Sequence, residues 1–335
     1  MRRLSIIGAS LIALVLLADT LVWHWATGVV ARETELWANA RRAEGWTVRM
    51  GAAEPEGWPL AARIRVRDLM VQAPFAALPG GASFVAEAAS IGINLLAWRY
   101  VEIFPEGAQR IRLGTALEIA FTTRLHAIAV DLPEMGVPQT GLPSIADIRI
   151  EGLDAKIGPD GARFAADRGT ARVVSAPDTL RATLDAENVD LPPSPLAAGL
   201  GQRILRIALD GALTGGWQTT PAAWRDAGGT FAVRQFDLVW GRLVASGSAN
   251  LRLDAALQPE GTADARLSGT QETLDALASA KLIAPRAATA AKAVLQLLQR
   301  PQQNGPPVVQ VPLTLQDRTL QMGRIPVIKM PELIW

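Results

Sequence analysis

The sequence predicts a mainly β protein: an elongated, curved antiparallel sheet, either an open trough or a loose β-sandwich, carried by an N-terminal transmembrane helix and completed by two late helices. Three observations predict it. Hydrophobic and polar residues alternate with a period of two through most of residues 46–269. An uncharged apolar run opens the chain directly after two arginines, and helical periodicity returns only between residues 270 and 299.

Arg2 and Arg3 precede an uncharged stretch from Leu4 to Ala18, which Leu21 and Val22 extend past Asp19. At about 1.5 Å per residue, a helix from Leu4 to Val22 covers roughly 29 Å, close to a hydrocarbon core of about 30 Å. An aspartate at mid-span costs about 2.5–3.5 kcal/mol, and each of the eleven Leu, Ile and Val residues returns about 0.3–0.6 kcal/mol. Asp19 lies one turn from the outer end, where its cost falls. Trp23 and Trp25 follow where an interfacial aromatic belt belongs, with His24 as a wetted neighbour. Ala26-Thr27-Gly28 offers a small-x-small cleavage site, but the apolar core of a cleaved signal, about 7–15 residues, ends well before it. The expectation is a retained anchor over residues 1–30, with Arg2, Arg3, Trp23 and Trp25 at the membrane interfaces. Arginines on the short N-terminal side place that end in the cytoplasm and the rest of the chain across the membrane. Arg32, Arg41 and Arg42 weaken this asymmetry without reversing it.

Residues 31–45 keep helical composition up to Gly45 and read as a stalk, with Leu36, Trp37 and Ala40 on one face. After Trp46 the period becomes two. Ile64 and Val66 alternate with Arg63, Arg65 and Arg67, the mark of a strand buried on one side. The pattern recurs in Ile91-Ile93-Leu95, Leu117-Ile119-Phe121, Ile148-Ile150, Leu180-Ala182-Leu184, Leu205-Ile207-Leu209 and from Leu243 to Leu253. Residues 46–335 therefore form a β-rich domain. "TTPAAWRDAGG", 219–229, reads as one or two helical turns opened by Pro221 and closed by Gly228; it is either a hinge between two subregions meeting near 215–230 or a plain loop.

Several strands change phase midway. Ile64 and Val66 give way to Leu69 and Val71 across Arg67-Asp68, Leu184 and Ala186 to Val189 and Leu191 across Glu187-Asn188, and Val233 to Phe236 and Leu238 across Arg234-Gln235. One extra residue that re-aims the side chains is what a β-bulge supplies, so the strands should be long, bent and twisted. Near the end, Thr270 to Ile283 and Pro285 to Gln299 read as helices, with Pro285 in a first turn and Val294, Leu295 and Leu298 on one face. "RPQQNGPP", 300–307, is a connector, and strands return in "VVQVPLTLQ" and, after Asp317-Arg318, in "TLQMGRIPVI".

The residues offer little to catalysis. There is no cysteine, which removes disulfides, thiolate catalysis and thiolate metal sites together. Only His24 and His126 exist, and His126 falls on the polar phase of its strand, an exposed structural residue with no second histidine for a metal or a Ser-His-Asp relay. "GLGQRI", 199–204, lacks the third glycine of a dinucleotide fingerprint and reads as a flexible loop. Carboxylates such as Asp68 and Glu87 are scattered, and Asp147, Asp154 and Asp160 lack the spacing of a calcium loop. No enzyme, metal or cofactor is expected. Lys+Arg of 33 against Asp+Glu of 32, with only Lys156, Lys281, Lys292 and Lys329 as lysines, leaves no basic patch for nucleic acid.

Two stretches carry a resemblance. "GSANLRLDAALQPEGTADARLSG", 247–269, resembles the strand–turn–strand unit of the AsmA-like group of bacterial envelope proteins, and "VPLTLQDRTLQMGRIPVIKMPELIW", 311–335, resembles their C-terminal hairpin. There the turn would read Asp-Gly; here Asp317 is followed by Arg318, which departs from the tight turn. With the anchor and "GWPLAARIRVRDLMV", 57–71, the chain is similar to a proteobacterial family of membrane-anchored proteins of unknown function. The resemblance implies an extended curved sheet in the periplasm, anchored in the inner membrane, and a role in envelope lipid homeostasis or assembly; it brings no catalytic residues.

One-sided strands outnumber what two helices can shield. The expectation is a trough for the acyl chains of phospholipid, lined by Ile64, Val66, Ile93, Leu95, Leu117, Ile119 and Phe121, unless these residues are plain core. The alternative is an assembly factor that docks an envelope protein along a sheet edge, with the hydrophobic C-terminus ending in Trp335 as a contact.

Overall fold

The computed structural model describes residues 2–75, 78–96, 98–115, 117–132, 143–158, 161–216, 220–281, 283, 285–300, 308–322 and 325–333. Asp160, Thr219, Trp335 and residues 301–307 of the connector lie outside these.

Helix α1 (Arg2–Ala43) runs unbroken from the apolar stretch through the expected stalk, 42 residues or roughly 63 Å long. It is long and apolar enough to cross a membrane. Its large side chains from Leu14 to Val22 are exposed, whereas Ala26, Thr27, Ala38 and Arg41 are buried. The stalk is therefore no free spacer. Leu36 and Trp37 point outward, and the small residues Ala31 and Ala38 face the protein, because only short side chains let the helix backbone approach the sheet. The helix end is fastened as well: Arg42 Nε donates to Val48 O at 3.0 Å, and the buried Arg41 guanidinium pairs with Glu44 and stacks 5.4 Å from the Trp46 ring.

β1 (Thr47–Arg49) and β2 (Glu54–Glu56) run along the outer edge of β3 (Ala61–Phe75). β4 (Leu78–Asn94) and β5 (Tyr100–Leu113) follow. β6 (Leu117–Thr122) and β7 (Leu125–Asp131) are two halves of one bent strand, each paired with β5 on one side and β8 (Ile145–Ile157) on the other. β9 (Ala162–Ala176) and β10 (Thr179–Asp190) come next, then α2 (Pro195–Leu200), β11 (Arg203–Thr214), α3 (Pro221–Asp226), β12 (Thr230–Trp240), β13 (Leu243–Leu253) and β14 (Pro259–Ser268). α4 (Thr270–Ser279) and α5 (Pro285–Leu298) precede the short β15 (Gln299–Arg300), and β16 (Val308–Gln316), β17 (Thr319–Met322) and β18 (Ile325–Lys329) complete the order. Every pairing is antiparallel and all the strands belong to one sheet, so the chain is a mainly β meander and not two stacked sheets. Among the described residues no ladder joins β18 to β1, β2 or β3.

The register makes this sheet two-faced. One row of cross-strand partners crosses twelve strands as Ile64, Ile91, Ile103, Ile128, Ile148, Ala171, Leu184, Leu209, Phe236, Gly247, Ala265 and Val311. No charge interrupts it. The adjacent row, on the other face, begins Arg63, Gly92, Glu102, Ala129, Asp147, Arg172, Thr183 and Asp210. There arginines reach across strands: Arg63 to Glu102 at 2.7 Å, Arg206 to Asp185 at 2.6 Å, and both Arg181 and Arg234 to Asp210. Exposed pairs of this kind add only about 0–1 kcal/mol each. Their larger effect is on register, since a slip of one residue would turn the charges onto the apolar face. Gly92 separates Arg63 from Glu102, and a Cβ there would overlap Ala62 O and the Arg63 side chain, so glycine keeps the bridge across β4 open.

The phase slips expected at Arg67-Asp68 and Glu187-Asn188 belong to one crease. Pairing skips Asp68 opposite Glu87, passes Gly107-Ala108 in β5 and the Thr123-Arg124 break between β6 and β7, then skips Gly152, Asp167, Asn188 and Leu205 in turn. The backbone is left-handed at Asp68, Gly107, Gly152 and Asn188, with φ between 51° and 74°. Those are the residue types that tolerate this conformation. The slip at Arg234-Gln235 is a separate irregularity between β12 and its neighbours.

The late helices form where expected, α5 opening at Pro285. α3 also matches, with Thr220 as its cap and Gly228 left-handed just beyond its end. The expectation of a loop over 199–204 holds only at Gly201 and Gln202: Arg203 and Ile204 open β11, and Gly199 and Leu200 end α2, whose first turn is capped by Ser194 Oγ accepting from Ala197 N at 3.1 Å. Asp317 and Arg318 both take positive φ, 50° and 60°, so the tight two-residue turn survives the loss of glycine. Arg318 pairs with Glu332 at 2.7 Å and accepts at its carbonyl from Met330 N.

Ile64→Ala, at the sealed end of the apolar row, should cost about 2–5 kcal/mol, and Leu184→Ala, in its exposed middle, less than about 1 kcal/mol. Chemical denaturation of the two variants in the same detergent checks the contrast.

Candidate functional site

The apolar row is sealed at both ends and open between them. At one end Ile64 and Val66 are 1% and 0% exposed beneath Val30 and Ala31 of α1. At the other, Val309 and Val311 are fully buried against Leu295 of α5, with Leu274 of α4 alongside. Between these covers Ile148, Ala171, Leu209 and Phe236 are half-buried, and Leu184 is 43% exposed. The neighbouring positions Ile150, Val173, Leu180, Ile207 and Leu238 on the same face are half-buried too. The central strands thus present a continuous greasy band that no element of the described chain covers completely.

The residues singled out from sequence fall in different places. Ile64 and Val66 are core, closed off by α1. Ile93 is half-buried near the end of β4 opposite Val101, and Leu95 lies in the turn after that strand, not on it. Leu117 and Ile119 are half-buried and Phe121 is buried, all in β6 on the far side of the crease from Ile93. The structure does not gather the seven into one pocket. The exposed band lies instead on β8 to β12, and the signal for it was present in the Ile148-Ile150, Leu180-Ala182-Leu184 and Leu205-Ile207-Leu209 alternations. Leu205, however, is the skipped residue of its strand and leaves the row. At the apolar end of the chain, Arg2 opens α1, and Arg3 is its second residue. Trp23 is half-buried and its Nε1 donates to Ala61 O at 2.9 Å; Trp25 is exposed.

His126 corrects its expected placement. It is buried, not exposed, because the break at Thr123-Arg124 reverses the strand's phase and turns even-numbered residues inward. Its Nδ1 lies 2.6 Å from Gln109 Oε1, which accepts from the ring, and Gln109 Nε2 donates to Thr123 Oγ1 at 3.3 Å. The rings of Phe84 and Phe121 flank the imidazole at 6.3 and 6.2 Å. Burial pushes its pKa from 6.5 down to about 4, so it is neutral. No carboxylate joins this set, and its one hydroxyl, Thr123 Oγ1, is linked to the imidazole only through the Gln109 amide, so the cluster is a polar plug in the core.

Elsewhere many of the charged groups are paired locally. A cleft of about 690 Å³ between α3 and the β13–β14 turn is lined by Arg225, Arg252, Asp254 and Glu260. Arg252 pairs with Glu260 at 2.7 Å, Arg225 donates to Ala255 O, and Asp254 accepts from Ala256 N and Gln258 N. Asp147 faces Arg172, and Asp154 faces Arg163, whose hydrogen bond holds that carboxyl below its usual range. The Arg203 guanidinium does the same for Asp190. Among the described residues no group of three His, Asp or Glu side chains is placed to hold a metal.

A family model matches the chain over residues 23–331, from the tryptophan at the end of the apolar stretch to just past the last strand. The chain belongs to the family of uncharacterized proteins conserved in bacteria, DUF2125. In this DUF2125 chain the matched region takes in the docked part of α1 together with the whole sheet, so helix and sheet fall within one family unit. No curated protein is significantly similar to the chain.

A histidine whose folded pKa lies below its unfolded value leaves stability intact above about pH 6.5 and removes it as pH falls toward about 4. The loss should approach, at most, about 3 kcal/mol. His126→Gln, which keeps a polar partner for Gln109 but cannot titrate, should flatten that part of the stability–pH curve measured by thermal unfolding.

Proposed function

We propose that this chain is a membrane-tethered lipid-binding protein of the bacterial envelope, holding or guiding acyl chains on the open centre of its sheet. The observation that carries the reading is the row from Ile64 to Val311, covered at its two ends and only half-buried between them, from Ile148 to Phe236. Soluble proteins seldom leave apolar patches beyond about 300–600 Å² without a partner. A band of Ile, Leu and Phe with no charge in it suits a hydrocarbon chain, which asks only for apolar contact along its length.

The resemblance of residues 247–269 and 311–335 to AsmA-like proteobacterial envelope proteins supports the same reading; those residues fall in the β13–β14 hairpin and in β16 to β18. The arginines before the apolar run favour a cytoplasmic N-terminus in the inner membrane, with the sheet in the periplasm. A second reading has one observation in its favour. β18 pairs only with β17 among the described residues, and an unpaired edge can add a strand from an envelope protein partner.

A photo-crosslinking residue at Leu209 in the full-length protein, activated in cells, discriminates the two. Covalent phospholipid adducts are expected, and Leu184→Arg with Leu209→Arg should lower lipid recovered by native mass spectrometry by about tenfold without changing the circular dichroism. Lipid-free protein with an unaltered spectrum would remove the proposal, and crosslinking from β18 to a protein would favour the second reading.

A further inference from the structure

Large exposed apolar side chains are not spread evenly over the sheet. Outside α1, thirteen such residues occur among those described, and six of them gather at one end of the first strands: Trp58 and Leu60 just before β3, Leu96 and Trp98 between β4 and β5, Tyr100 at the start of β5 and Leu132 directly after β7. Among the described residues they include every exposed aromatic side chain outside α1: Trp58 is 50% exposed, Trp98 63% and Tyr100 40%. These three places are tied together. Leu95 N donates to Leu60 O at 3.0 Å, and Tyr100 is the register partner of Asp131, the residue before Leu132.

These turns stand at a defined level on α1. Trp23 Nε1 donates to the carbonyl of Ala61, the residue after Leu60, and Trp23 directly follows the apolar run that ends at Val22. From Ala26 to Arg41 the same helix is pressed onto the sheet through buried small residues, so span and sheet cannot swing apart on a linker. When the segment before Trp23 crosses a bilayer, the turns are brought to the bilayer surface with it. Tryptophan, tyrosine and leucine are what that depth favours: an amphipathic ring at the headgroups and an aliphatic chain just beneath them. Arg99, exposed between Trp98 and Tyr100, adds a cation beside lipid phosphates.

We infer that the turns at 57–60 and 95–100, with Leu132, form a second membrane contact that inserts into the interface of the bilayer crossed by α1. The occupant of this surface is lipid headgroup and upper acyl chain, and the sheet stands on the membrane at a fixed angle. This holds whatever the central band of the sheet carries.

The absence of native cysteine makes the test direct. Single variants Trp98→Cys, Trp58→Cys and, on the charged face, Arg163→Cys are labelled with nitrobenzoxadiazole in the full-length protein. Each is reconstituted alone into phosphatidylethanolamine–phosphatidylglycerol vesicles. Positions 98 and 58 should show blue-shifted emission and about twofold or greater quenching by lipid spin-labelled near the headgroup, with weaker quenching by a deep label. Position 163 should show neither. Quenching at both 98 and 58 no greater than at 163 would overturn the inference and leave these turns as a docking surface for protein. All three positions are exposed, and a Tm within a few degrees of the parent confirms that the fold is kept.

Discussion

The structure depends on one constraint: twelve strands keep the same register phase, so that a single face stays apolar from β3 to β16. Hydrogen bonding does not require this, since a ladder closes equally well in either phase. The face does. Burying an aliphatic or aromatic side chain completely gains about 1.5–3 kcal/mol, and a slip in any one strand would exchange its apolar residues for the arginines and carboxylates behind them. The row of cross-strand ion pairs on the opposite face makes that exchange costly in the other direction as well, because charges turned inward would lose both water and partners.

Holding that phase over long, twisted strands requires correction on the way. The crease supplies it. Where Asp68, Gly107, Gly152 and Asn188 take left-handed backbone, the strand surrenders one position and resumes with its apolar residues on the same face. Because the correction falls opposite the neighbour's own skipped residue, the ladder resumes in step on both sides. A slip confined to one strand would have ended the pairing; aligned slips bend the sheet and leave it whole.

This explains what was legible in the sequence and what was not. Alternation, its phase slips at 67–68 and 187–188, and the proline-led helices at 221 and 285 are local signals, and each appears where the residues place it. Misplaced features are those decided by partners far along the chain. His126 reads as exposed if the phase of Leu117-Ile119-Phe121 is carried through, and nothing in Thr123-Arg124 by itself announces a reversal; the opposing strands impose it. Ile64 and Val66 look the same as Leu184 and Leu209 on paper, each an apolar residue in a period-two alternation. Whether such a residue is core or surface depends on α1, which lies some thirty residues away in sequence and reads as a stalk because its contact face is built of alanines and not of large apolar residues. The short α2 escaped notice because Gly199 within it and Gly201 just after it outweigh the Ser-Pro that starts it.

The pattern of cover has a physical consequence of its own. In a meander each strand contacts chiefly its sequence neighbours, so stability is built from local interfaces, much as in a repeat protein, and an open centre does not threaten the ends. Helices at the two ends cover β3 and β16, whose apolar face would otherwise be bare. The middle strands, with a partner on each side, can leave their greasy face partly wet at smaller cost. A sheet that needed its whole interior filled would place bulk there; this one spends Ala171 and Gly247 in the middle of the row and puts its packed clusters at the margins. Since α1 passes into β1 through only the short turn at Gly45-Trp46 and is itself pinned to β3, the chain has no hinge by which that helix could swing over the centre. Whatever covers the central band therefore has to come from outside the helices that already seal its ends.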